Sequence, residues 1–231
     1  MGLLFEDINT RKYIDILDFD NFDNFYKKAI DKLVEIQTLN VDGLLIYNEK
    51  DLYLEMELMK KWYFEGLLRK SLTQKQKEII DNCFQNIIKV IFSQPKNMFV
   101  YKDFNSETLG IKDENVIIPN PKNQMNGILT YDLVSLLKDY HFNFELDDIY
   151  KLALYYKKKK GLLVSDDEFI KWFDFMGLQI EMKKLGSFSQ LFICEGEKSG
   201  LSYIPSTLEL VFDISNKYEE LKPFTQLLKE L

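Results

Sequence analysis

Glycine is scarce in this chain, with 10 among 231 residues, and none of them falls into a GxGxxG or GxxxxGK[ST] pattern. The glycine-rich loops that open dinucleotide-binding and P-loop domains are therefore excluded. Cysteine is scarcer still. Cys83 and Cys194 cannot build a disulfide framework, and a reducing compartment is their simplest home. One histidine, His141, is too few for a His-rich metal site or a His–His relay. No run reaches the ~18 apolar residues that a membrane span needs. The start has no basic region and meets Glu6 and Asp7 after the three apolar residues Leu3, Leu4 and Phe5, so no signal peptide is expected. Glu6 also stands where a myristoylation signal wants Ser or Thr. Positive charge is in the minority: 30 Lys+Arg against 37 Asp+Glu leaves −7, which argues against non-specific nucleic-acid binding through phosphate contacts. The expectation is a soluble, cytoplasmic protein with neither a membrane nor a nucleic acid as partner.

What is present is enough to fold. Hydrophobic residues make up 46% and charged residues 29%, a balance that supports a packed core rather than disorder. Helical spacing dominates. Phe22, Phe25, Tyr26, Ala29, Ile30, Leu33 and Ile36 form one apolar face, and Leu52 to Leu67 is dense enough to predict a more deeply buried helix. Thr73 is the expected N-cap of a third helix carrying Ile79, Ile80, Cys83, Ile87, Ile88 and Ile91, which Pro95 ends. The middle changes character: residues 99–101, 109–111 and 116–118 are short β-type runs between polar turns. Helices resume over 131–140, 147–160, 165–184 and 207–218. The fold class is thus mainly α with a small β insert at about 98–128, in a single domain over 1–231 with C-terminal helices over 130–231. Loops around such an insert are a natural place for a site.

Several features have plain readings. Lys157–Lys160 before Gly161 is a solvated helix C-terminus, favoured there by the helix dipole. His141 fits a helix end, Gly196–Gly200 is a turn, and both cysteines sit in apolar surroundings where they should be buried and inert.

The segment Tyr101-Lys102-Asp103-Phe104-Asn105-Ser106-Glu107-Thr108-Leu109 resembles the catalytic loop H-R-D-[FY]-H-S-R-N-L of the aminoglycoside phosphotransferase family. The nearest branch is that of the bacterial cell-wall sugar kinases acting on N-acetylmuramate and N-acetylglucosamine. Thr130-Tyr131-Asp132-Leu133-Val134-Ser135-Leu136-Leu137 matches that branch's T-Y-D-L-V-S-L-L helix without a mismatch. Leu3–Ile8 resembles its L-L-L-E-D-L hinge strand, and residues 55–63 look like its E-L-x-L-F-x-x-W-Y helix. Gln94-Pro95 and Tyr203-Ile204-Pro205 also fit, so the matches keep one order from Leu3 to about Tyr218.

The resemblance implies the C-terminal lobe of a kinase-like fold, with ATP and Mg²⁺ as cofactors and an amino sugar as ligand. It sets Asp103 at the catalytic-base position with Lys102 beside it, Glu6 weakly at the nucleotide hinge, and Asp132 as structural support for the loop. The family's metal positions fall on Thr108, Asn120 and Asn123. There Thr replaces Asn and Asn replaces Asp twice, while Lys122 adds a positive charge. Mg²⁺ in phosphoryl-transfer sites is held by carboxylates together with the phosphates, so these substitutions should weaken it strongly. The chain also begins at the hinge strand, which leaves the phosphate-covering N-terminal lobe outside it. Three functions are consistent with this. The first is a degenerate sugar-kinase-like protein without independent activity that retains sugar binding. The second is half of a split kinase, with Asp103 as base and a partner supplying the N-terminal lobe. The third is an interaction module that self-associates or binds a partner through the apolar surface around Leu3 to Phe5.

Overall fold

In the computed structural model the described residues are 5, 11–18, 20–139, 142 and 144–231. They belong to two compact units, Met1–Tyr47 with Gln94–Phe173, and Asn48–Ser93 with Asp174–Leu231.

The first unit holds all the strands. β1 (Arg11–Lys12), β3 (Gly110–Lys112) and β4 (Asn115–Ile117) form an antiparallel sheet in the order β1-β3-β4, with Arg11 opposite Ile111 and Gly110 opposite Ile117. The β3–β4 connection is the pair Asp113-Glu114, both at positive φ (49° and 63°). A two-residue hairpin needs that left-handed twist to match its flanking strands. β2 (Lys96–Val100) and β5 (Met125–Ile128) pair separately and antiparallel. Gly127 of β5 lies so close to β2 that a Cβ there would sit 2.8 Å from Val100 Cγ2.

Against these strands the expected amphipathic helix forms as α1 (Phe22–Ile36), burying Tyr26, Ala29, Ile30, Leu33 and Ile36. It packs on α4 (Tyr131–Leu137) and α5 (Leu146–Lys160). α4 is short but almost wholly buried, with Leu133, Val134 and Leu136 shielded from solvent. Lys157 to Lys160 occupy the last turn of α5, and Gly161 closes it in the left-handed conformation at φ 69°. Lys157 pairs with Asp166 at 2.5 Å and Lys159 with Asp31 at 3.0 Å, so two of the run's lysines are tied down by carboxylates, while Lys158 and Lys159 are exposed and Lys157 and Lys160 half-buried.

The second unit is helical. α2 (Glu49–Leu58) starts with a reciprocal capping box between Asn48 and Asp51 and then widens into a π-helical stretch, Met59–Leu67. The apolar spacing predicts one continuous helix here, and the chain does stay helical, but its winding changes. At the junction Gly186 of α6 (Asp166–Glu195) approaches so closely that a Cβ would lie 2.3 Å from the Leu58 carbonyl carbon. α3 (Gln74–Ile91) is capped by Thr73 as expected, and Gln76 completes the box by accepting the Thr73 N–H at 2.9 Å. α7 (Ile204–Lys217) and α8 (Lys222–Glu230) each carry a proline in the first turn, where the missing N–H costs nothing. Within this unit Asp174 is fully buried yet paired to Lys217 Nζ and Tyr218 Oη, each at 2.8 Å.

Several expectations need correction. α6 extends eleven residues past Lys184, because the apolar run through Phe192 continues the helix to Glu195, and Gly196 at φ 72° stops it. Cys194 is exposed rather than buried, on the final turn of that helix, whereas Cys83 is buried as expected. β5 and α8 are elements that the sequence reading does not place, although Phe224, Leu227 and Leu228 of α8 have helical spacing. His141 lies outside the described residues.

Candidate functional site

The candidate site is the loop Tyr101–Leu109 that leads from β2 back into β3. Its residues divide between two directions. Tyr101, Phe104, Ser106 and Leu109 are buried, while Asp103 and Glu107 are exposed. Burial of the Phe104 ring fixes the middle of the loop and so leaves Asp103 at its outer edge. Short bonds then close the turn: Asn105 N–H donates to Asp103 O at 3.1 Å, Leu109 N–H to Asn105 O at 2.9 Å, and Thr108 N–H to Asn105 Oδ1 at 3.1 Å. The loop is also stitched to the segment after β1, since Tyr13 N–H donates to Leu109 O at 2.9 Å and Ile14 N–H to Ser106 O at 3.0 Å.

Lys102 sits at φ 81°, a region that an L-residue with a side chain enters only under constraint. Such strain costs ~1–3 kcal/mol and persists only where surrounding contacts over-determine it. The constraint here is Asp132 in the first turn of α4. Its fully buried carboxylate accepts the Tyr101 N–H at 2.6 Å through Oδ2 and the Lys102 N–H at 2.8 Å through Oδ1. Burial pushes the Asp132 carboxyl up to about 7; the two N–H bonds pull it down, and the nearby Asp103 charge adds to the rise. Tyr101, buried beside the same two carboxylates, is raised to about 12, burial being the main cause. The Tyr101 hydroxyl donates to Pro119 O at 3.1 Å, which links the loop to the segment following β4.

That segment is built differently. Ile118 is buried, but Asn120, Lys122 and Asn123 are exposed. Gln94, just before β2, braces the far end by accepting the Thr130 N–H at 3.1 Å and the Thr130 hydroxyl at 2.8 Å.

Among the sequence-derived candidates, the structure bonds the Lys102 N–H to Asp132, sets Asp103 next to Lys102 with its charge felt at Asp132, and places Thr108 at the end of the same loop. Asn120 and Asn123 are on the neighbouring exposed segment, and Glu6 lies outside the described residues. Sequence reasoning missed Asp139. Its Oδ2 accepts both the Ser106 N–H at 2.9 Å and the Ser106 hydroxyl at 2.5 Å, with Asp139 and Ser106 both buried. No local signal marks it: α4 ends at Leu137, and its partner Ser106 lies 33 residues away in the chain.

A divalent cation fits this site poorly. Thr108, Asn120 and Asn123 offer only neutral oxygens, Lys122 puts a cation between the last two, and no cluster of three or more His, Cys, Asp or Glu able to hold a metal occurs among the described residues. Hard cations of this kind are held by carboxylates.

No protein-family profile matches the chain. In sequence it is similar to the N-acetylmuramate/N-acetylglucosamine kinase of Neisseria meningitidis serogroup B, with 31% identity over 210 residues that cover 88% of this chain and 63% of the relative. It is also similar to the kinase of the same name from Pseudomonas putida, with 28% identity over 239 residues covering 99% of this chain and 69% of the relative. The chain thus spans under two thirds of the Neisseria protein and a little more of the Pseudomonas one. Among solved structures, spectinomycin phosphotransferase APH(9)-Ia in complex with AMP superposes with a TM-score of 0.59 at 10% identity, over 89% of this chain and 70% of that one. The gentamicin complex of APH(2")-IIa gives 0.58 at 14% identity over 89% and 68%. A choline kinase from Cryptosporidium parvum gives 0.54 at 12% identity over 96% and 73%. The chain therefore has the kinase-like fold of the aminoglycoside phosphotransferases, and its sequence resembles that of the bacterial N-acetylmuramate/N-acetylglucosamine kinases.

Proposed function

We propose that this protein binds an amino sugar beside Asp103 and does not by itself transfer phosphate to it. One contrast supports this reading. The loop that presents Asp103 keeps a strained, fully bonded geometry around Lys102 and Asp132, while the positions that would hold Mg²⁺ carry Thr108, Asn120 and Asn123. Phosphoryl transfer depends on positioning together with electrostatic neutralisation of the phosphates. The first is kept here and the second is weakened. Asp103, exposed at the loop edge, is placed to accept a hydrogen bond from a ligand hydroxyl, with Lys102 adjacent as a cation. ATP is the nucleotide that the family resemblance implies, and its binding should be weak for want of metal. The protein functions in the cytoplasm on this reading.

The deciding experiment is a calorimetric titration with N-acetylmuramate and N-acetylglucosamine, run beside a phosphotransfer assay with ATP and Mg²⁺. Sugar binding without a phosphorylated product is the expected result. Product formation by the purified chain would refute the reading.

A second reading draws on the same preserved loop: Asp103 works as general base in an amino-sugar kinase completed by a further polypeptide. A phosphorylated sugar formed only when a co-expressed partner is added would favour it. The third, an interaction surface around Leu3 to Phe5, rests almost wholly on positions outside the described residues; Phe5 itself packs 6.3 Å from the Tyr101 ring. A clean monomer in light scattering would count against it.

A further inference from the structure

The loop that carries Asp103 is held at both ends, and only one of the two fastenings was visible in the sequence. At its start Asp132 takes the backbone N–H groups of Tyr101 and Lys102. At its far end Asp139 takes the N–H and the hydroxyl of Ser106 on a single oxygen, Oδ2. Asp103 and Phe104 lie between these two points. Phe104 is fully buried and Asp103 is exposed, so the exposed carboxylate hangs from a short span with fixed ends and an apolar pin.

Physical considerations make the second fastening more than local packing. Hydrogen bonds to a carboxylate are roughly twice as strong as those between neutral groups, and a buried anion that loses its donors is left uncompensated. The Ser106 N–H is not part of a strand or helix ladder, so Asp139 is its acceptor in place of regular structure. Ser106 O accepts from Ile14 N–H at 3.0 Å in turn, so the same residue anchors the loop to two other segments. With Lys102 at φ 81°, the span is under strain at one end. A strained end stays put only if the other end cannot slide to relieve it.

We propose that Asp139, acting through Ser106, is a positioning residue for Asp103. It fixes the far end of the loop against the pull of the strained Lys102 end, so that the Asp103 carboxylate keeps one orientation toward its ligand. The part concerning ligand rests on the amino-sugar reading given above; the part concerning the loop does not.

The test uses the full chain with Ser106→Ala and Asp139→Asn. Hydrogen–deuterium exchange is followed in peptides covering 101–109, with peptides from α1 and α5 as controls, and N-acetylglucosamine affinity is measured alongside. Amides of the 101–109 span should exchange at least tenfold faster in both variants while α1 and α5 keep their wild-type rates, and sugar affinity should drop about tenfold. Should Asp139→Asn fail to fold, Ser106→Ala carries the test, because it leaves the carboxylate and the backbone N–H bond in place. Unchanged exchange at 101–109, or a rise spread evenly over α1 and α5, would overturn the proposal, since a merely structural residue gives the latter. Equal sugar affinity with a loosened loop would also overturn it. If the loop loosens locally but no sugar binds even to the wild type, the fastening stands and it is the amino-sugar reading that fails.

Discussion

The loop Tyr101–Ser106 and the segment Ile118–Asn123 belong to the same unit and are linked by the Tyr101 hydroxyl bond to Pro119, yet they are built on opposite terms. In the loop, buried carboxylates hold backbone N–H groups that have no other acceptor of comparable strength. Removing either acid strands buried donors, at ~1–3 kcal/mol for each. In the segment, Asn120 and Asn123 are exposed, and exchanging an exposed carboxylate for its amide changes stability by only about ±0.5 kcal/mol. The difference shows that folding holds the geometry of the Asp103 loop but is nearly indifferent to which side chains stand at Asn120 and Asn123.

The strongest way to break the loop side of this comparison is Asp132→Ala. It leaves the buried Tyr101 N–H and the part-buried Lys102 N–H without an acceptor, and we expect a loss of ~3–5 kcal/mol in urea unfolding, the largest effect of any single change at the site.

Next comes pH. The Asp132 carboxyl is raised from 3.8 to about 7 in the folded protein, so the native state holds that proton more tightly than the unfolded chain does. Stability from this group is therefore full below about pH 4 and is lost as the pH rises toward 7, by a few kcal/mol at most. Asp132→Asn, neutral throughout, should flatten the stability profile between pH 4 and pH 7; a profile identical to the wild type would show that Asp132 does not titrate there.

A smaller effect of opposite sign is expected from Lys102→Gly. Glycine enters the region near φ 81° without steric cost, so the variant should gain ~1 kcal/mol, read as a higher urea midpoint. The smallest change in stability, within about ±0.5 kcal/mol, is expected from the triple variant Thr108→Asn, Asn120→Asp, Asn123→Asp. Its value lies elsewhere: Mn²⁺ binding, followed by electron paramagnetic resonance, should become measurable in the variant while remaining undetectable in the wild type. Comparable binding in both would show that neutral oxygens suffice here.

How much of this could be read from the sequence follows from the range of the interactions involved. Periodic burial is local, so α1 was predicted over its full length from the spacing of Phe22 to Ile36; the Tyr101–Leu109 loop was identified by motif, and the helix expected over 131–140 forms but ends at Leu137. The bond from Ser106 to Asp139 joins residues 33 apart, and no spacing rule announces such a pair. The π-helical winding over Met59–Leu67 was equally hidden, because it changes hydrogen-bond partners without changing which residues are apolar. Cys194 was misjudged for a related reason. Its neighbours Phe192 and Ile193 are apolar, but the last turn of α6 is open to solvent, so that Ile193 and Cys194 are both exposed.

That exposed position has a practical side. Burial drives the Cys83 thiol far above its ordinary range, which leaves it protonated and shielded from reagents. Among thiols, only Cys194 is then open to a maleimide, so one dye per chain can be attached to the native sequence without engineering. The label would sit on the last helical turn of α6, far along the chain from the Asp103 loop, and a fluorophore there would follow the second unit during unfolding while the loop and its two buried acids remain unmodified.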